Sequence, residues 1–148
     1  MDDLIVHCQV SLLRLVTELA EDLSTKYNTV FEGINMDAAL TESELPDSHI
    51  IGLEDFSFQE RDDPVAVVSG QITVGSKASD QNMLLLRALS LVLKKTKATK
   101  AIVLQNTDTA EVIGQIVFDG YRQVPPKFTG ETKVYQSVIF TAGILLDV

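Results

Sequence analysis

The sequence predicts an α+β domain, a mainly antiparallel or mixed β-sheet with a long N-terminal helix and a mid-chain helix packed on it. Near the start, apolar residues recur at three- and four-residue spacing for about six turns. A second helical run, Ala78 to Lys97, has β-like sequence on both sides. The flanking stretches are rich in β-branched residues, alternate in polarity, and are joined by links short enough for hairpins. At 148 residues the chain reads as a single domain, 1–148, for which one core suffices.

In the first helix, Asp3 to Tyr27, the apolar face is Ile5, Cys8, Leu12, Leu15, Val16, Leu19, Leu23 and Tyr27. Asp2 and Asp3 suit its N-terminus through the helix dipole. His7 has no second histidine at helical spacing, so it reads as a surface or satisfied polar residue rather than a ligand. Cys8 sits among apolar neighbours as a small core hydrophobe. As the only cysteine it excludes an intramolecular disulfide and a cysteine-based zinc site within one chain.

Thr29 to Ile34 has the content of a short strand centred on Val30 and Phe31. The next stretch, Asn35 to His49, holds Pro46 and the acids Asp37, Glu42, Glu44 and Asp47 without a clean period, the pattern of a long exposed acidic loop. His49 beside these carboxylates raises the idea of a metal site, but no EF-hand or zinc spacing is present.

Ile50 to Gln59 changes phase, from Ile51 and Leu53 to Phe56 and Phe58, which places a bulge or bend near Glu54-Asp55. Glu60 to Pro64, including Asp62 and Asp63, makes a turn, and Val65 to Gly75 alternates, so the two runs form a long antiparallel hairpin. In the central helix Met83, Leu84, Leu85, Leu86, Ala88, Leu89, Leu91, Val92 and Leu93 leave only a narrow polar stripe of Arg87, Ser90 and Lys94. Such a helix needs cover on more than one side. Ser79 is its expected N-cap, with Asp80 in the first turn, and Lys94, Lys95, Lys97 and Lys100 complement its C-terminus.

Ala101 to Gln105 reads as a strand and Asn106 to Thr109 as a turn. Glu111 to Tyr121 is a strand apolar on both faces, with Val112, Ile116 and Phe118 facing one way and Ile113, Val117 and Tyr121 the other, so both faces are expected to be covered. Gln123 to Thr132, with Pro125-Pro126 and Gly130, reads as a second loop. Val134 to Leu146 alternates almost without a break.

A formal charge of −9 argues against gripping nucleic acid by phosphate neutralisation. The start, Met1-Asp2-Asp3, is acidic where a secretory signal would be basic, and no apolar run approaches the ~18 residues of a membrane span, so a reducing cytoplasm is the expected compartment. The dinucleotide, P-loop, nucleophile-elbow and HExxH patterns are missing. The sequence therefore assigns no catalytic residue, no metal ligand and no cofactor.

This layout resembles the tail terminator (tail completion) proteins of tailed bacteriophages, small acidic-to-neutral proteins with a long N-terminal helix, a mid-chain helix and a closing strand. The likeness runs from the helix at Leu4 to Leu23, through Asp80 to Lys94, to the closing VYQSVIFTAGILL. It is one of layout and character, and no functional residue is carried over from it.

The resemblance implies a non-enzymatic structural protein of the virion tail, assembled in the host cytoplasm. Its copies would form a hexameric ring that stops polymerisation of the tail tube protein and offers a face to the head-tail connector or neck protein. In a contractile tail it would also meet the tail sheath protein. DNA would pass without specific binding, as excess negative charge favours, and no membrane is involved. Asp37, Glu42, Glu44, Asp47, Asp62 and Asp63 are then the candidates for lumen or partner contact. Two other readings are another neck or tube-like structural protein of the virion, and a small enzyme pairing His7 or His49 with nearby carboxylates.

Overall fold

A computed structural model describes residues 3–38, 49–77, 82–129 and 133–147. Helix α1, Leu4–Tyr27, opens the chain. Strand β1, Phe31–Asn35, follows, then a 3-10 turn, Met36–Ala38, and the hairpin of β2, His49–Glu60, and β3, Ala66–Lys77. Helix α2 is Asn82–Ala98, and the last strands are β4, Ala101–Gln105, β5, Val112–Thr129, and β6, Lys133–Leu146. No helix among the described residues is long and apolar enough to cross a membrane.

The strands form one six-stranded sheet in the order β1-β2-β3-β6-β5-β4. All pairings are antiparallel except β1 with β2, so the sheet is mixed. A parallel pair cannot be joined by a tight turn and needs a connection of a dozen or more residues. β1 and β2 are therefore not a hairpin; the acidic loop expected between them falls, over residues 39–48, outside the described residues.

α1 is wound around its buried stripe: Leu4, His7, Cys8, Ser11, Leu12, Leu15, Val16, Leu19, Ala20 and Leu23. Ile5, expected on that face, is 43% exposed, and Leu4 takes the inner position. Asp3 stands at the N-cap without a side-chain cap bond, and Asn28 ends the helix in the left-handed region at φ 50°, a conformation Asn tolerates better than most. Val30, expected at the centre of the first strand, precedes it and is exposed; Phe31 begins the strand and is buried.

The helix lies against both sheet edges. Toward β1, Ser24 Oγ accepts the Phe31 N–H at 2.9 Å, and Gly33 faces Thr17 and Ala20 at a separation a β-carbon would just fill. Toward β4, Ser11 Oγ accepts the Gln105 N–H at 3.2 Å. One helix can touch the first and the last strand only if the sheet curls. α2 packs on β3 and β6 in the middle, burying Ala88, Leu89 and Val92. Both helices thus share one face, and the core between them and the sheet includes Leu12, Leu23, Ile51, Leu53, Ile72, Leu104, Ile116, Phe140 and Ile144. The Phe118 and Phe140 rings meet edge to face, 5.6 Å apart.

The expected bulge in β2 is present between Glu54 and Ser57, with Asp55 at φ 54°. Two further bulges in β5 correct the sequence reading. The first, between Phe118 and Gly120, moves Tyr121 onto the same face as Phe118, where its hydroxyl donates to the Thr96 carbonyl of α2 at 2.7 Å. The second, between Val124 and Lys127, absorbs Pro125-Pro126, so that β5 runs on to Thr129 where a loop had been expected. Proline has no N–H to give to a ladder, and a bulge is one of the few strand positions that tolerates it.

On the second face, Ile50, Thr73, Tyr135 and Ser137 are also buried, and Thr73 and Ser137 share a hydroxyl hydrogen bond of 2.7 Å. Cover for this end of the sheet comes from the chain itself; Met36 of the 3-10 turn, for example, lies over Gly52. The expected cap Ser79, with Asp80, lies outside the described residues.

Candidate interaction surface

The acidic candidates among the described residues do not converge. Asp37 is exposed, yet its carboxylate is engaged: one oxygen accepts the Asp55 N–H at 2.8 Å and the other the Phe56 N–H at 3.0 Å. These are the two amides that the β2 bulge frees from the ladder, so Asp37 caps the bulge. Asp55 in turn accepts a bond from Gln71 Nε2 at 2.9 Å. Asp62 and Asp63 are exposed at the β2–β3 turn, which is pinned to β6 by the bond from Val65 N–H to the Ile144 carbonyl. From the bulge to that turn is roughly 20 Å of extended strand at ~3.3 Å per residue. Asp37 and the Asp62-Asp63 pair therefore belong to separate regions, while Glu42, Glu44 and Asp47 lie outside the described residues.

The histidines are also apart. His49 stacks on Phe31 with centroids 5.3 Å apart, and burial holds its pKa below the ordinary imidazole value. His7 is buried against the turn after β4. With Asn106, Ile113, Leu146 and Asp147 it lines a pocket of about 230 Å³. Cys8 is fully buried, which pushes its thiol up to about 12 and keeps it a thiol near neutrality. Among the described residues no group of three or more His, Cys, Asp or Glu is placed to hold a metal ion.

What the structure does bring together is apolar. Directly paired residues of neighbouring strands share a face, and on the face away from the helices Val103 pairs with Gln115, which pairs with Leu145. The next row is Ala101, Val117 and Gly143. A bulge between Leu104 and Gln105 sets Val112 opposite Gln105, and so on this outer face rather than beside Ile116 as its spacing had implied. Val103, Val112 and Leu145 are 49%, 54% and 47% exposed. Three half-exposed side chains of this size, with exposed Gln115 between Val103 and Leu145, offer on the order of 200–300 Å², at the lower edge of the ~300–600 Å² of the largest patch on a typical monomer.

The strip borders an open strand edge. Phe118 N–H donates to the Lys100 carbonyl, so alternation turns the main-chain groups of Ala101 and Val103 away from β5. They face a groove of about 340 Å³ between β4 and α1, walled on the helix side by Ser11, Arg14, Leu15 and Glu18. The signal for this surface lay in the sequence AIVLQ, apolar at four successive positions in a strand too short to be central. Neither a known family model nor a curated protein matches this sequence.

Proposed function

We propose that this chain is a structural subunit that assembles with copies of itself into a ring, and that the ring caps a bacteriophage tail tube, ends its polymerisation and joins the tail to the head-side connector. The observation that carries the reading is the apolar strip of Val103, Val112 and Leu145, left open on the outer sheet face after both helices have filled the other. A standard interface buries ~800 Å² on each partner, so the strip supplies about a third of one side and neighbouring polar surface the rest. A subunit of this kind with a net charge of −9 repels DNA moving past it instead of holding it. Exposed Asp62 and Asp63 add to that field and are free of the structural duty that Asp37 performs.

Light scattering on the purified protein, with a doubly substituted Val103→Asp, Leu145→Asp form beside it, tests the assembly. Wild type is expected to form closed oligomers, and the double variant to remain folded by circular dichroism but fall to monomer. The tail role is tested by imaging tails assembled without this protein, whose tubes should be of abnormal length. Normal tube length, or a wild-type protein that stays monomeric at high concentration, would overturn the corresponding half of the proposal.

A further inference from the structure

We propose that His7 is a pH-sensitive latch that fastens the β4–β5 turn to the N-terminal half of α1 when neutral and releases it when protonated. The Thr107 backbone N–H points at His7 Nδ1 from 3.0 Å, and the Thr107 hydroxyl oxygen is 2.9 Å from the same nitrogen. A backbone amide can only donate. Nδ1 must therefore present its lone pair, which places the ring hydrogen on Nε2 and makes the ring neutral. His7 is 6% exposed while Thr107 stands exposed on the turn, so the bond is shielded on the imidazole side only.

The turn is built to move as a unit. Asn106 Oδ1 accepts the Asp108 and Thr109 N–H groups at 2.9 and 3.2 Å. The Asn106 N–H donates to the Glu111 carbonyl at 2.8 Å, and the Ala110 N–H to the Asn106 carbonyl at 2.9 Å. With the turn stiffened from within, its attachment to α1 rests on Thr107, helped by the neighbouring bond between Gln105 N–H and Ser11 Oγ.

Adding a proton to Nδ1 sets N–H against N–H. The Thr107 hydroxyl can rotate to accept from the new donor, but the Thr107 amide keeps no acceptor. The acidic groups around His7 divide once the proton has arrived: those off the turn draw a cationic ring away from it, and those on the turn draw it back. Asp147 of the β6 end lines the same pocket, Asp108 and Glu111 stand exposed on the turn, and Asp3, exposed one helical turn back, accepts the backbone N–H of His7 at its carbonyl. A cationic ring that leaves Thr107 finds the Asp147 carboxylate across the pocket.

Amide hydrogen exchange at Thr107, read by NMR on the full chain and corrected for the intrinsic rate, tests the latch at pH 8 and pH 5.5. Wild type should lose protection at Thr107 at least tenfold at the lower pH, in step with titration of the His7 C2 proton. In His7→Asn the amide oxygen reaches the place of Nδ1 and cannot titrate, so Thr107 should stay protected at both values. His7→Ala should leave it unprotected at both; if that variant fails to fold, the comparison of wild type with His7→Asn decides. Protection that is flat in wild type between the two values, with or without titration of the ring, overturns the proposal. An equal loss in His7→Asn does the same.

Discussion

Asp37 shows how much a single carboxylate's meaning depends on what stands opposite. In sequence it is one acid among several in a polar stretch. In the structure both of its oxygens are taken by the backbone of a bulge eighteen residues further on, a partner that no local pattern reveals. Hydrogen bonds to a charged group contribute about 1.5–3 kcal/mol when shielded and less when, as here, the site is exposed. Asp37→Ala is therefore expected to lower unfolding free energy by about 1–2 kcal/mol in urea titrations. Asp37→Asn, which keeps one acceptor, should recover about half of that. A role in the lumen or in partner contact would give the opposite result, unchanged stability of the isolated chain with altered assembly. Cys8 was easier to read than His7: an apolar setting marked the thiol as core, while isolation from other histidines left the imidazole as a surface or satisfied polar residue, and its burial rules out the surface half of that reading. Its partner, Thr107, lies a hundred residues away and left no trace in sequence.

At the scale of the element, the strands divide into those whose pattern survives folding and those that change phase. The β2–β3 hairpin was legible because its turn residues and its alternation agree, and the phase slip at Glu54-Asp55 announced its bulge. β5 was harder. Its bulge at Asp119 hides behind regular alternation, and Pro125-Pro126 looks like a loop until the bulge that admits it is seen. The pairing of β5 with β6 makes a sharp demand at Gly114, where a β-carbon would stand 2.1 Å from the Leu145 carbonyl oxygen. That oxygen belongs to the backbone of the neighbouring strand, so the strands themselves would have to part. Gly114→Ala is expected to destabilise the protein by about 2–3 kcal/mol, at the upper end of overpacking costs. In Gly120→Ala the new carbon would meet, among the described residues, the Thr141 hydroxyl at 3.3 Å, a side-chain atom that needs to shift by a few tenths of an ångström against its bond to Asp119, and the cost should stay under about 1 kcal/mol. Urea midpoints of the two variants measured side by side check this; equal losses would mean that the β5–β6 pairing is more compliant than its register implies.

For the whole molecule the governing fact is that α1 touches both ends of the sheet. The sequence supplied the helix and its apolar face, but a curl that brings β1 and β4 to the same helix is a property of six strands together and cannot be read from any one of them. An open edge invites pairing with other chains, and covering it with a helix is one way of preventing that. α1 does so fully at Phe31 and Gln105, and leaves β4 uncovered only along the groove at Ala101 and Val103. It follows that the helix is a tie for the entire domain and not a local brace. Leu12, 1% exposed in its N-terminal half, gives a direct test. Replacing it with Ala should cost about 2–5 kcal/mol, a large part of the ~5–15 kcal/mol that holds a domain of this size together. Because the helix joins both edges, that loss should spread: amide exchange should accelerate in β1, at the far edge, by the same factor as in β4. A brace would instead loosen β4 alone and leave β1 protected, and the ratio of the two accelerations separates these cases whatever the size of the total loss.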